Sequence, residues 1–127
     1  MPRDRGERGA AIIEFAIVMP VLIILVFGIV HFAIAFNRYQ GIHAAAREGA
    51  RTASIPTATA GDITARVNAA LAGITFDSPP AINTGSSCLN RRGQQVTVTV
   101  SAPHQISVPL LPVWNVTLDG RGVFRCE

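Results

Sequence analysis

Lysine is missing from this 127-residue chain, and all 11 basic residues are arginines. That bias is read as genomic rather than chemical. Only Arg91 and Arg92 are adjacent, and no basic groove interleaved with aromatics emerges, so the formal charge of +3 does not point to nucleic acid. Acidic residues are few and dispersed, and no glycine-rich phosphate loop follows a strand. His104 has no neighbouring Ser, Cys or carboxylate in a recognised arrangement. These absences exclude the familiar catalytic constellations; neither an enzyme nor a cofactor is expected. Cysteine is limited to Cys88 and Cys126, which lie far apart with no His cluster, so metal-ligand spacing is absent as well.

What the chain does have is apolar residues, 49% of the total, concentrated near the amino terminus. Phe15 to Phe36 is interrupted only by Pro20, Gly28 and His31. As a helix this run spans about 33 Å, enough for a hydrocarbon core of about 30 Å. The length of the chain leaves room for one such segment and one small domain. At the head of the run sits Glu14, and no other formal charge follows until Arg38. A carboxylate there costs roughly 2.5–3.5 kcal/mol at mid-bilayer and less near an edge, so it calls for a partner.

Three readings fit the amino-terminal segment. A secretory signal peptide would use Arg3, Arg5 and Arg8 as its basic region and Ala44-Ala45-Ala46 as its cleavage site. Its apolar part is usually only about 7–15 residues, shorter than this run. A retained signal anchor leaves Glu14 unexplained. Arginines flank the run on both sides, so charge counting selects no orientation. The third reading is a short charged leader ending at Gly9, followed by Ala10, with Glu14 at the fifth mature position and the aromatic Phe15 after it. That pattern resembles the processing site of type IV prepilins and pseudopilins. The continuation Glu14-Phe15-Ala16-Ile17-Val18-Met19-Pro20, then Phe27-Gly28, then Ala45-Ala46-Arg47-Glu48-Gly49-Ala50-Arg51, resembles the TadE-like pseudopilins of the tight adherence (Tad, or Flp pilus) system. The likeness is dense from about Gly9 to Ala53 and looser beyond.

The resemblance implies a minor pseudopilin that takes part in pilus assembly, priming or capping, and hence in adhesion. A prepilin peptidase would remove Met1 to Gly9 and expose an ammonium at Ala10. Glu14 would then meet the amine of a neighbouring subunit and set the axial register between helices. The implied partners are that peptidase, other Tad pilins and pseudopilins, the inner-membrane assembly platform and the lipid bilayer. The implied location is the bacterial inner membrane, with the amino terminus cytoplasmic and the carboxyl domain outside. The alternative function is a monomeric single-pass anchor displaying a small binding domain.

Within the span, Pro20 removes a helix hydrogen bond and Gly28 loosens the helix further, so both are candidate kink positions. His31 is expected to face a helix neighbour rather than a metal. Beyond the membrane Tyr39, Ile42, Ala46, Ala50 and Ala53 recur at helical spacing, as in an amphipathic stem. Gly41, Ala45 and Gly49 form a row of small residues suited to close approach, either by another subunit or by the chain's own domain. Arg47 and Arg51 are like charges one turn apart, so one of them is expected to find an outside partner. The stem should end near Ser54-Ile55-Pro56-Thr57. A short helix is expected over about Asp62 to Ala72, stopped by Gly73, with residues 75–94 as loop. Val96-Thr97-Val98-Thr99-Val100 alternates like a half-buried strand, and Val113 to Leu118 and Arg121 to Arg125 read as two more around a turn at Asp119-Gly120. Pro103, Pro109 and Pro112 confine their segment to a loop or a sheet edge. Cys88 and Cys126 should pair if this domain lies outside the cytoplasm; in a cytosolic domain they would be buried thiols. The expected fold class is α+β, with a long amino-terminal helix and a small antiparallel sheet. Its expected parts are residues 1–9 as leader, 10–54 as transmembrane and stem helix, and 55–127 as an extracytoplasmic domain.

Overall fold

A long helix, α1, runs from Arg5 to Ala53 without interruption through Pro20 and Gly28. At 1.5 Å per residue its 49 residues extend about 74 Å. The computed structural model describes residues 5–127, with side chains from residue 9 onward, so Met1 to Asp4 of the expected leader lie outside the described residues. Only the carboxyl third of α1 is covered by protein. Ile42, Ala45, Ala46, Ala50 and Ala53 are buried there, which is the expected stem face. Tyr39 departs from that face: it is exposed and packs edge-on against His43, with ring centroids 4.4 Å apart.

Helix α2, Ala60–Ala70, lies against the stem through the buried Ile63 and Val67. It begins two residues earlier than the periodicity predicts, because Thr59 caps it. The Thr59 hydroxyl accepts from the Asp62 amide at 3.2 Å, and the Thr59 amide donates to the Asp62 carboxylate at 2.9 Å. This reciprocal box supplies two orphan amides with partners, and such a cap is typically worth about 1 kcal/mol. Gly73, at φ +87°, then turns the chain away from the helix axis.

Three antiparallel strands follow in the order β1-β2-β3: β1 Ala81–Asn83, β2 Gln95–Ile106 and β3 Trp114–Arg125. Two expectations need correction. Residues 75–94 are not all loop, since Ala81–Asn83 pairs with Thr99–Ser101 of β2. Asp119-Gly120 is not a turn. It lies in mid-strand, with Asp119 opposite Ser101 and Gly120 opposite Val100. The glycines serve the helix instead. A Cβ on Gly120 would come within 2.5 Å of an Ile42 methyl, and one on Gly122 would run into the Ala46 carbonyl oxygen. Backbone therefore meets backbone where β3 crosses α1, a contact that only glycine allows on the strand side.

β2 extends past Pro103, which the sheet accommodates because β1 ends its pairing at Ser101. From there to Ile106 β2 has a neighbour on one side only, and an edge tolerates a residue without an amide proton. Along β2, Val96, Val98, Val100, Ala102 and His104 all point into the core, as strict alternation demands. Cys88 and Cys126 form a disulfide with Cα atoms 5.4 Å apart. The chain end is fastened further by the Glu127 amide, which donates to the Ser54 carbonyl at 3.1 Å.

Candidate assembly site on the long helix

The residues expected to govern processing and register all lie on the bare part of α1. Gly9, Ala10, Glu14 and Phe15 share one continuous helix. Ala10 and Glu14 are thus one turn apart, about 6 Å in rise. Glu14 is exposed between apolar neighbours, with Phe15 62% and Ile12 68% accessible. Among the described residues no cation lies within ion-pair distance of Glu14. No residue in the most apolar window of α1 is buried against the rest of the chain. A cylinder of uncovered Ile, Leu, Val and Phe is long enough to cross a membrane by length and composition. Alternatively, it is a surface for other helices.

The small-residue row resolves differently. A Cβ on Gly41 would strike Ile74, and one on Gly49 would come within 2.5 Å of Val67 and 3.2 Å of Val98. Gly41, Ala45 and Gly49 are therefore covered by the chain's own domain. Neither Arg47 nor Arg51 forms an ion pair among the described residues; Glu48 instead pairs with Arg66 of α2 at 2.7 Å.

Sequence reading missed a polar cluster at the foot of the domain, where the covered stem meets the bare span. Arg38 is nearly buried and donates to the Asp77 carboxylate at 2.9 Å. The same guanidinium nitrogen lies 2.6 Å from Nδ1 of His104, which is 2% exposed. Because a guanidinium only donates, His104 must accept at Nδ1 and carry its proton on Nε2. The Asp77 carboxylate also accepts from the Gln105 amide at 2.9 Å. Burial pushes the His104 pKa down, and the Arg38 charge pushes it further; Asp77 pulls the other way without prevailing. The hydrogen bond from Arg38 holds Asp77 below the usual carboxylate range. The cluster thus neutralises the first charge beyond the apolar run and ties β2 and the loop before β1 to α1. Its members are 39 and 66 residues apart in sequence, so no local motif marks them.

Among curated proteins and solved structures nothing matches this chain. One family model does match, that of the TadE-like proteins, over residues 9–51. Its limits fall on Gly9 and on Arg51, so it takes in Glu14, the uncovered apolar run and most of the stem face on which the domain is built. Over this segment, about a third of its length, the chain is similar to the TadE-like proteins.

Proposed function

We propose that this protein is a minor pseudopilin of a Tad-type pilus, held in the inner membrane by α1, cleaved between Gly9 and Ala10, and drawn into assembly with other pilins. The observation that carries this reading is the coincidence of the family match with an uncovered apolar run headed by Glu14, the sole acid between Glu7 and Glu48. Cleavage would place an ammonium on Ala10, one turn from Glu14. In an array of such helices the amine of one subunit meets Glu14 of the next. At 4 Å and an effective dielectric near 20, the attraction is about 4 kcal/mol before desolvation is subtracted. The net gain is small, but a register that strands either charge in an apolar bundle costs several kcal/mol. Glu14 therefore acts mainly as a selector of axial stagger. Pro20 and Gly28 are the positions where α1 would yield when the subunit leaves the bilayer.

Intact mass of the protein from its native host, with the cognate peptidase present, tests the processing step. The expected mass lacks Met1 to Gly9; a chain retaining Met1, or one beginning at Arg47, would remove the pilin reading. Glu14→Gln should leave membrane insertion intact and reduce co-purification with other pilins. Unchanged co-purification would show that Glu14 does not set the register.

One observation favours the alternative of a monomeric anchor: the Gly41-Ala45-Gly49 row is already occupied by the chain's own domain. That leaves the span as the surface available for a neighbouring α1, and the Glu14→Gln experiment separates the two readings.

A further inference from the structure

The β2–β3 hairpin ends in a stretch, Gln105 to Leu118, that carries no charged side chain. At its tip Leu110 is 77% exposed, and Leu111, Val113 and Trp114 are exposed beside it. A cluster of this kind on a small domain marks a contact surface. Local backbone needs do not explain it. Leu110 holds a positive φ of +69°, where glycine or asparagine would be less strained, yet a large apolar side chain is presented there.

The position of the tip identifies what it meets. Gly122 rests on Ala46 and Gly120 on Ile42, so β3 followed backward descends α1 toward the apolar run. Trp114 begins that strand, about 20 Å below Gly120 at the usual strand rise. The same distance along α1 is about thirteen residues, which brings the tip level with the region around Ile29. One contact marks the descent: Arg38, four residues before Ile42 on α1, touches His104 of β2. The apolar run of α1 from Phe15 to Phe36 exceeds the about 20 residues that a hydrocarbon core needs, so its outer end lies at the interface.

We infer that the hairpin tip is a second membrane contact, with Leu110, Leu111, Val113 and Trp114 entering the headgroup and upper acyl region beside α1. This rests on the reading of α1 as a membrane span. The partner is lipid rather than protein because the tip stands at the height of the bare span, where the surrounding medium is the bilayer, and because it offers no charge for a protein to recognise. The depth is interfacial because irregular backbone is not tolerated facing hydrocarbon. Pro109 and Pro112 reduce the number of amides that need partners, and tryptophan favours the headgroup level. Two attachments fix the tilt of the domain on the membrane, and a subunit leaving the bilayer must release both.

Trp114 is the sole tryptophan of the chain, so its fluorescence reports the tip alone. The full chain is reconstituted in phosphatidylethanolamine–phosphatidylglycerol vesicles, with and without brominated acyl chains. The expected result is a blue-shifted emission that brominated lipid quenches and aqueous iodide does not. A companion chain carrying Phe27→Trp and Trp114→Phe reports the span. If that companion is quenched by brominated lipid while Trp114 is open to iodide and untouched by the lipid, the hairpin inference is overturned and the span survives. Should neither reporter sense the lipid, both readings fall. Shielding of Trp114 that brominated lipid does not reach, and that vanishes when the protein is diluted in lipid, would assign the tip to a second copy and overturn the inference.

Discussion

Two glycines and one histidine make the sharpest residue-level tests. Gly122→Ala sets a methyl against the Ala46 carbonyl, and neither backbone has a rotamer through which to escape. Such overpacking costs about 1–3 kcal/mol or more, read as a lowered denaturant midpoint in detergent micelles. Gly61→Ala provides the contrast: its Cβ meets only the Thr59 hydroxyl, at an ordinary 3.6 Å, inside α2. That variant should be neutral or gain up to about 1 kcal/mol from helix propensity. For His104 the sign follows from its depressed pKa. The folded chain keeps the imidazole neutral while the unfolded chain takes up a proton below the ordinary value of 6.5. Stability should thus be full above that value and decline as pH falls through the window toward the folded pKa. Asp77, also depressed, adds a second loss at more acid pH, below its ordinary 3.8. Thermal midpoints measured against pH should show the upper limb in the native sequence and a flattened one in His104→Gln.

At the scale of elements, the disulfide and the stem hold the sheet in place. Cys88 and Cys126 are separated by 38 positions, and closing a loop of that size is worth about 4 kcal/mol in the chain-entropy model. Replacing both by alanine, or adding reductant, should lower the unfolding free energy by about that amount; a shift under about 1 kcal/mol would show that the loop is already constrained without the bridge. Elements with a local signal were legible in advance: the apolar run, the alternation from Val96 to Val100, and Gly73 as a stop. Those whose cause is tertiary were not. Asp119-Gly120 has the composition of a hairpin turn, yet the glycine is required by Ile42 across the interface. Strand β1 has three residues and no alternation to betray it, and it exists because β2 offers an edge. Glu14 was visible because it interrupts an apolar run, whereas Arg38, Asp77 and His104 become a site only when α1 and β2 are brought together.

For the whole molecule, the described chain divides in the middle of a helix rather than between helices. Among the described residues no side chain before Arg38 is buried, and every residue of the hydrophobic core lies at or after Ile42. A chain beginning at Asn37 should therefore retain the core and unfold cooperatively, as followed by circular dichroism. Loss of cooperativity would mean that the span contributes to the domain's stability. In the full chain, amide exchange should be slow from Ile42 to Ala53, because the sheet covers that face. It should also be slow across the span in vesicles, but fast there in water-rich micelles, where no neighbour protects the backbone.

Because β3 lies against α1 at Gly120 and Gly122, where the strand has no side chain of its own to act as a bearing, anchor and domain lack a swivel. The helix behaves as an axle with its wheel keyed to the shaft. In the assembly proposed above, a rotation imposed on α1 by a neighbouring helix would reach the sheet undamped, so the angular order of the helices would be displayed, turn for turn, by the faces of the domains.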